Sequence, residues 1–138
     1  MYLCTSMTSR VSYLGSLRTL CTHIKSNEQI STDAPVDNHG FGAYFSPTDL
    51  LATSLASCFL TIVGIYCEER KIAFIDANVE VEKIMVSNPR RVGQINLFFD
   101  FSMNGWDEKT TKKIIAAGKS CPVAVTLGKQ VTIEYHFK

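Results

Sequence analysis

The chain has 138 residues, enough to bury a core in one domain and too few for two comfortable ones. Fourteen Lys and Arg against 13 Asp and Glu, with no basic run beyond the pairs Arg90-Arg91 and Lys112-Lys113, leave no nucleic-acid footprint. Five cysteines (Cys4, Cys21, Cys58, Cys67, Cys121) without a C-x-x-C spacing fit neither a dense disulfide scaffold nor a zinc pattern, so they read as reduced thiols. The first residues carry no apolar stretch followed by a small-residue cleavage site, which predicts a cytoplasmic protein; Met7 is an equally good start.

Two β-like runs, Thr8 to Tyr13 and Leu17 to His23, flank Leu14-Gly15-Ser16, which has the composition of a tight hairpin connection. A third run, Glu28 to Thr32, extends the meander. Arg18 follows the first turn, and on spacing alone it reads as a solvated strand charge. Asp33 to Phe45, with Pro35, Asp37-Asn38, Gly40 and Gly42, is a loop by composition, and His39 within it a solvated histidine.

From Leu50 to Cys67 there is no charged residue, no Pro and a single Gly, Gly64. The stretch predicts one helix, apolar or small on nearly every side and therefore buried. Its start is written in Ser46 as N-cap, Pro47 at the first helical position and Asp49 completing a capping box; its end is softer, near Glu69-Arg70-Lys71. The length also admits a membrane span. Thr53, Ser54, Ser57 and Thr61 dilute the apolarity, no second hydrophobic segment exists, and the rest of the chain supplies amphipathic elements for a core. A buried central helix with Cys58 midway is the expectation.

Ala77 to Val86 and Gly93 to Phe101 alternate as strands, the second placing Ile95, Leu97, Phe99 and Phe101 on one face. Asp107 to Gly118 reads as a helix with Ile114, Ile115 and Trp106 inward and Lys109, Lys112 and Lys113 outward. Ser120-Cys121-Pro122 opens a short helix, and Val131 to Phe137 closes the chain as a strand with His136 exposed.

A thiol becomes a nucleophile when a cation or the positive end of a helix stabilises its thiolate. Cys121, directly before Pro122, sits at a helix start, where unpaired N–H groups favour negative charge. Cys58 has no helix end nearby and needs Arg18 or another cation brought in by the fold; alone, it reads equally as a small buried hydrophobe. Cys67, nine positions on, faces the opposite side of the same helix, so it cannot pair with Cys58. Cys4 and Cys21 read as incidental.

The run from Ser46 to Cys58 (SPTDLLATSLASC), together with Ser120-Cys121-Pro122-Val123, Tyr13 to Thr19 and Asp33 to Asn38, resembles the OsmC/Ohr family of thiol peroxidases over nearly the whole chain. That resemblance implies a single α+β domain over residues 1–138; residues 1–7 read separately, as a disordered or non-native N-terminal extension. It further implies a long central helix packed with antiparallel sheets, and two chains intertwined as a homodimer with active sites at the interface. Carried onto this sequence, Cys58 matches the peroxidatic cysteine, Cys121 the resolving cysteine, and Arg18 the arginine that stabilises the thiolate. The implied activity is reduction of a hydroperoxide in oxidative stress defence, with no bound cofactor and an external dithiol or lipoyl-type reductant, and without nucleic-acid or membrane partners.

The family's peroxidases carry a Glu ten positions before the first Cys, paired with the Arg; here Thr48 stands there. Asp49, one place further on, is a weak candidate for the orienting carboxylate, because its capping role already explains it. Leu55, Phe59 and Ile62 beside Cys58 suit an organic hydroperoxide better than hydrogen peroxide, and equally suit a core. A non-catalytic dimeric protein holding a small apolar or thiol-reactive ligand is the alternative. Metal binding by Cys58 and Cys121 would lack ligands.

Overall fold

The computed structural model describes residues 6–138 and divides the chain into two compact units that meet in sequence at Leu50 and Leu51. Cys4 and most of the extension expected over residues 1–7 lie outside the described residues.

The first unit is an antiparallel meander of β1 (Ser9–Gly15), β2 (Arg18–His23) and β3 (Gln29–Asp33). The β1–β2 connection is the pair Ser16-Leu17, both at positive φ (53° and 61°), which matches the twist of a two-residue hairpin. The turn thus falls one residue later than composition suggested. The Tyr13 hydroxyl accepts from the Leu17 N–H at 3.3 Å across it. In the β2–β3 ladder Arg18 faces Asp33, so Asp33 belongs to a strand end and not to the loop. A 3-10 turn, Val36–Asn38, occupies part of the segment that follows.

Helix α1 (Pro47–Glu69) starts as the sequence indicates: Asp49 N–H donates to Ser46 Oγ at 3.0 Å and Ser46 N–H to Asp49 Oδ2 at 2.9 Å, a reciprocal capping box. It ends with Ile72 N–H reaching back to Cys67 O and Lys71 N–H to Glu68 O, Lys71 standing at φ 55°. That is a Schellman closure with Lys where Gly is usual. By length and composition α1 could cross a membrane. Its buried face instead carries core residues: Ala52, Leu55, Ala56, Phe59, Val63 and Cys67. Among the described residues the fully buried positions of the helix fall on that face, while Leu51, Ser57, Thr61 and Ile65 are exposed, where the sequence predicted burial all round.

The second unit sets this face against a three-stranded sheet of β4 (Asn78–Val86), β5 (Arg91–Asp100) and β6 (Thr132–Phe137). Ile95, Leu97 and Phe99 of β5, with Phe101 just beyond it, are buried on one face as their alternation predicts. The sheet is mixed, however: β4 and β5 are antiparallel, whereas β6 runs parallel to β5. A parallel return needs a long crossover, supplied here by α2 (Glu108–Lys119) and α3 (Pro122–Leu127). Alternation alone carries no strand direction. Asp107 caps α2 through Thr110 N–H at 2.7 Å, Ile114 is fully buried, and Lys109, Lys112 and Lys113 face outward. His136 is exposed and stacks on Phe98, with ring centres 4.7 Å apart.

Candidate active site

The first unit organises a guanidinium. Cross-strand pairing puts Arg18 opposite Asp33, and the pair is bidentate: Nε donates to Oδ1 at 2.7 Å and Nη2 to Oδ2 at 2.9 Å. Asp33 is 1% exposed and takes a further bond from the Ala43 N–H at 3.0 Å. These contacts decide its charge: the Arg18 hydrogen bond, and after it the Ala43 bond, hold the carboxyl below the usual range although burial pulls upward. The same hydrogen bond raises Arg18 further. The Tyr44 ring lies under the guanidinium, 4.8 Å from Cζ to the ring centre. Nε and Nη2 engage Asp33, and Nη1 is the nitrogen that this pair does not use.

Arg18 is therefore not the solvated strand charge that spacing suggested, and its partner is Asp33. The sequence reading missed that carboxylate. A signal for it exists: a β2–β3 turn centred on Lys25-Ser26 sets a register in which Thr22 faces Gln29 and Arg18 faces Asp33. Asp49 is engaged by Ser46, and Thr48 Oγ1 lies 3.2 Å from Ser46 Oγ.

The second unit organises two thiols. Cys58 sits half-buried at the margin of the apolar face of α1, while Cys121 is fully buried as N-cap of α3, its Sγ accepting from Ala124 N–H at 3.5 Å. Both are free, and they are neighbours: burial first, then the hydrogen bonding and charge of Cys58, push the Cys121 thiol up, while the Ala124 N–H works the other way. The helix start does favour the Cys121 thiolate, as its place before Pro122 predicts, but burial outweighs it. Although α1 offers Cys58 no helix end, the fold brings the start of α3 beside it through Cys121.

Around the pair, Leu55 and Phe59 are fully buried and belong to the core, leaving Ile62 half-buried. Tyr135 of β6 adjoins Cys121, and its hydroxyl is pushed up by burial and by that thiol. Cys67 lies on the core face of α1 with Phe59 and Val63, and burial raises its thiol. Among the described residues no group of three or more His, Cys, Asp and Glu could hold a metal ion.

Two unbonded neighbouring cysteines on an α+β chain, one half-buried and one capping a helix, are the groups that thiol chemistry requires. More narrowly, the chain belongs to the OsmC-like family: the sequence model described as OsmC-like protein matches residues 40–136. Among solved structures it is similar to an osmotic-stress-induced and detoxification-response protein of Psychrobacter arcticus 273-4, at 43% identity over 100% of both chains and a TM-score of 0.92. An organic hydroperoxide resistance protein OsmC from Legionella pneumophila has the same fold, at 16% identity over 98% of this chain and 99% of that one, with a TM-score of 0.77. So does the organic hydroperoxide resistance protein OhrB of Bacillus subtilis, at 18% identity over 96% and 98% of the chains and a TM-score of 0.68. No curated protein matches the chain.

Proposed function

We propose that this protein is a cysteine-dependent peroxidase that reduces organic hydroperoxides in oxidative stress defence, working as a cytoplasmic homodimer. The observation that carries the reading is the pair of free, neighbouring thiols, Cys58 and Cys121. Family membership and the organic hydroperoxide resistance named for two relatives of the same fold support the substrate class.

In this reading the Cys58 thiolate attacks the terminal oxygen of the hydroperoxide. The O–O bond breaks, the alkoxide takes a proton and leaves as alcohol, and Cys58 becomes a sulfenic acid. Cys121 then attacks that sulfur; water leaves, and a Cys58–Cys121 disulfide forms, which an external dithiol of lipoyl type reduces by exchange. No bound cofactor takes part. Arg18 supplies the positive charge that stabilises the thiolate and polarises the peroxide, through its Nη1 edge, in an active site completed by the intertwined dimer. Asp33 takes the part of the missing Glu: its two oxygens fix the guanidinium plane, which a bidentate pair does better than a single contact.

The test is consumption of cumene hydroperoxide and hydrogen peroxide with a dithiol reductant, comparing wild type, Cys58→Ser and Cys121→Ser. Turnover that needs both cysteines and runs faster on cumene hydroperoxide is the expected result. A wild type no faster than Cys58→Ser overturns the peroxidase reading.

A further inference from the structure

Gly118 stands in the last turn of α2 at ordinary negative φ, so no turn or left-handed backbone requires glycine there. In a helix interior glycine is disfavoured relative to alanine, so its presence needs another reason. The reason is a close approach. A Cβ at position 118 would lie 2.7 Å from Cε2 of Phe59 and closer still to Cε1 and Cζ. The Phe59 ring fills the space that a side chain would take.

That ring cannot step aside. It is fully buried and packed on Phe99, Tyr135 and Phe137, with ring centres 4.4, 5.7 and 6.2 Å away. Since core packing is dense, an added methyl at 118 must move the end of α2 by about 1 Å to restore ordinary contact distances. Phe59 follows Cys58 directly in α1, and Gly118 is tied to Cys121, whose N–H donates to Gly118 O at 3.1 Å. Lys119 adds a second anchor, its ammonium 4.9 Å from the Tyr135 ring centre. The contact therefore joins the residue after one thiol to the helix end that carries the other.

We propose that Gly118, through its contact with Phe59, is a positioning residue that sets the approach of Cys121 to Cys58, and so the rate at which the disulfide closes. The proposal rests on the peroxidase reading for its biological meaning, but the spacing it concerns can be measured apart from peroxide. Oxidised glutathione forms a mixed disulfide at one of the two cysteines with release of one glutathione thiolate. The other cysteine then attacks the protein sulfur and releases the second.

The experiment follows Cys58–Cys121 closure in oxidised glutathione by acid-quenched mass spectrometry, in wild type, Gly118→Ala, Phe59→Leu and the double variant. Misplacing a reacting pair by about 1 Å slows an intramolecular step by about tenfold or more, which is the loss expected for Gly118→Ala. Under cumene hydroperoxide the same variant should consume its first equivalent at the wild-type rate yet accumulate Cys58 sulfinic acid, because resolution is the slowed step. Phe59→Leu, which opens the space, should bring closure in the double variant back to the rate of Phe59→Leu alone. Closure by Gly118→Ala at the wild-type rate overturns the proposal, as does a folded double variant that stays slow. If Gly118→Ala does not fold, the double variant against Phe59→Leu decides by the same criterion. Wild-type Cys58 that closes with Cys121 in glutathione but ignores hydroperoxide refutes the peroxidase reading while leaving the spacing argument standing.

Discussion

Phe59 and Phe98 offer a paired test of what holds the second unit together. Phe59→Ala empties a fully buried site ringed by three aromatic partners, whereas Phe98→Ala trims a ring that is 41% exposed on the outer sheet face and stacks on His136. Emptying a buried Phe site costs about 3–5 kcal/mol, and the aromatic pairs push this case toward the upper end, about 4–5 kcal/mol. Phe98→Ala should cost under about 1 kcal/mol, because the removed ring was already half in water. At roughly 3–5 °C per kcal/mol for a chain of this size, Phe59→Ala lowers Tm by about 15 °C and Phe98→Ala by a few degrees. Urea and thermal unfolding, followed by far-UV circular dichroism and the fluorescence of Trp106 at one protein concentration, measure both. Equal losses from the two variants, or a loss under about 2 kcal/mol for Phe59→Ala, would refute the placement of the core on this face of α1.

The remaining predictions concern the charges, the thiols and one loop. Asp33→Asn keeps the shape of the side chain but removes the charge that fixes Arg18, so peroxide reduction should fall while the fold persists. Because the folded carboxyl is held below the usual range, the stability it contributes is complete above that range and fades as pH falls through the folded value. The urea midpoints of wild type and Asp33→Asn should therefore differ at pH 7 and converge on acidification; a constant gap would be evidence against the pair. Iodoacetamide should label Cys58 and Cys21, both half-buried, before the buried Cys67 and Cys121, whose thiols burial raises; peptide mass spectrometry against time reads the order. Asn104 ties its loop to the chain around Asp76, accepting from Ile75 N–H at 2.7 Å and donating to Asp76 O at 2.7 Å and Phe101 O at 3.0 Å. Asn104→Ala should cost about 2 kcal/mol in chemical denaturation, where an equal-sized loss from Asn78→Ala would argue against a specific role.

Local signals in the sequence were enough for the elements. Capping at Ser46, Pro47 and Asp49, the alternation of Ile95, Leu97, Phe99 and Phe101, and Cys121 before Pro122 depend on neighbours within a few residues, and each element appears where they placed it. The two cysteine motifs carried the family, which the match over residues 40–136 establishes. What the sequence could not decide was anything set by long-range packing. Strand direction in β6 depends on the path of the crossover, and the one-sided burial of α1 depends on which elements pack against it. The partner of Arg18 depends on a register that a one-residue slip would undo. For Cys121, both the helix start and the burial act on the same thiol, and only the tertiary structure supplies the burial that outweighs the other. The reason is common to all four. Propensity and capping act along the chain, whereas desolvation, ion pairing and close contact act between groups that the sequence keeps apart and folding brings together.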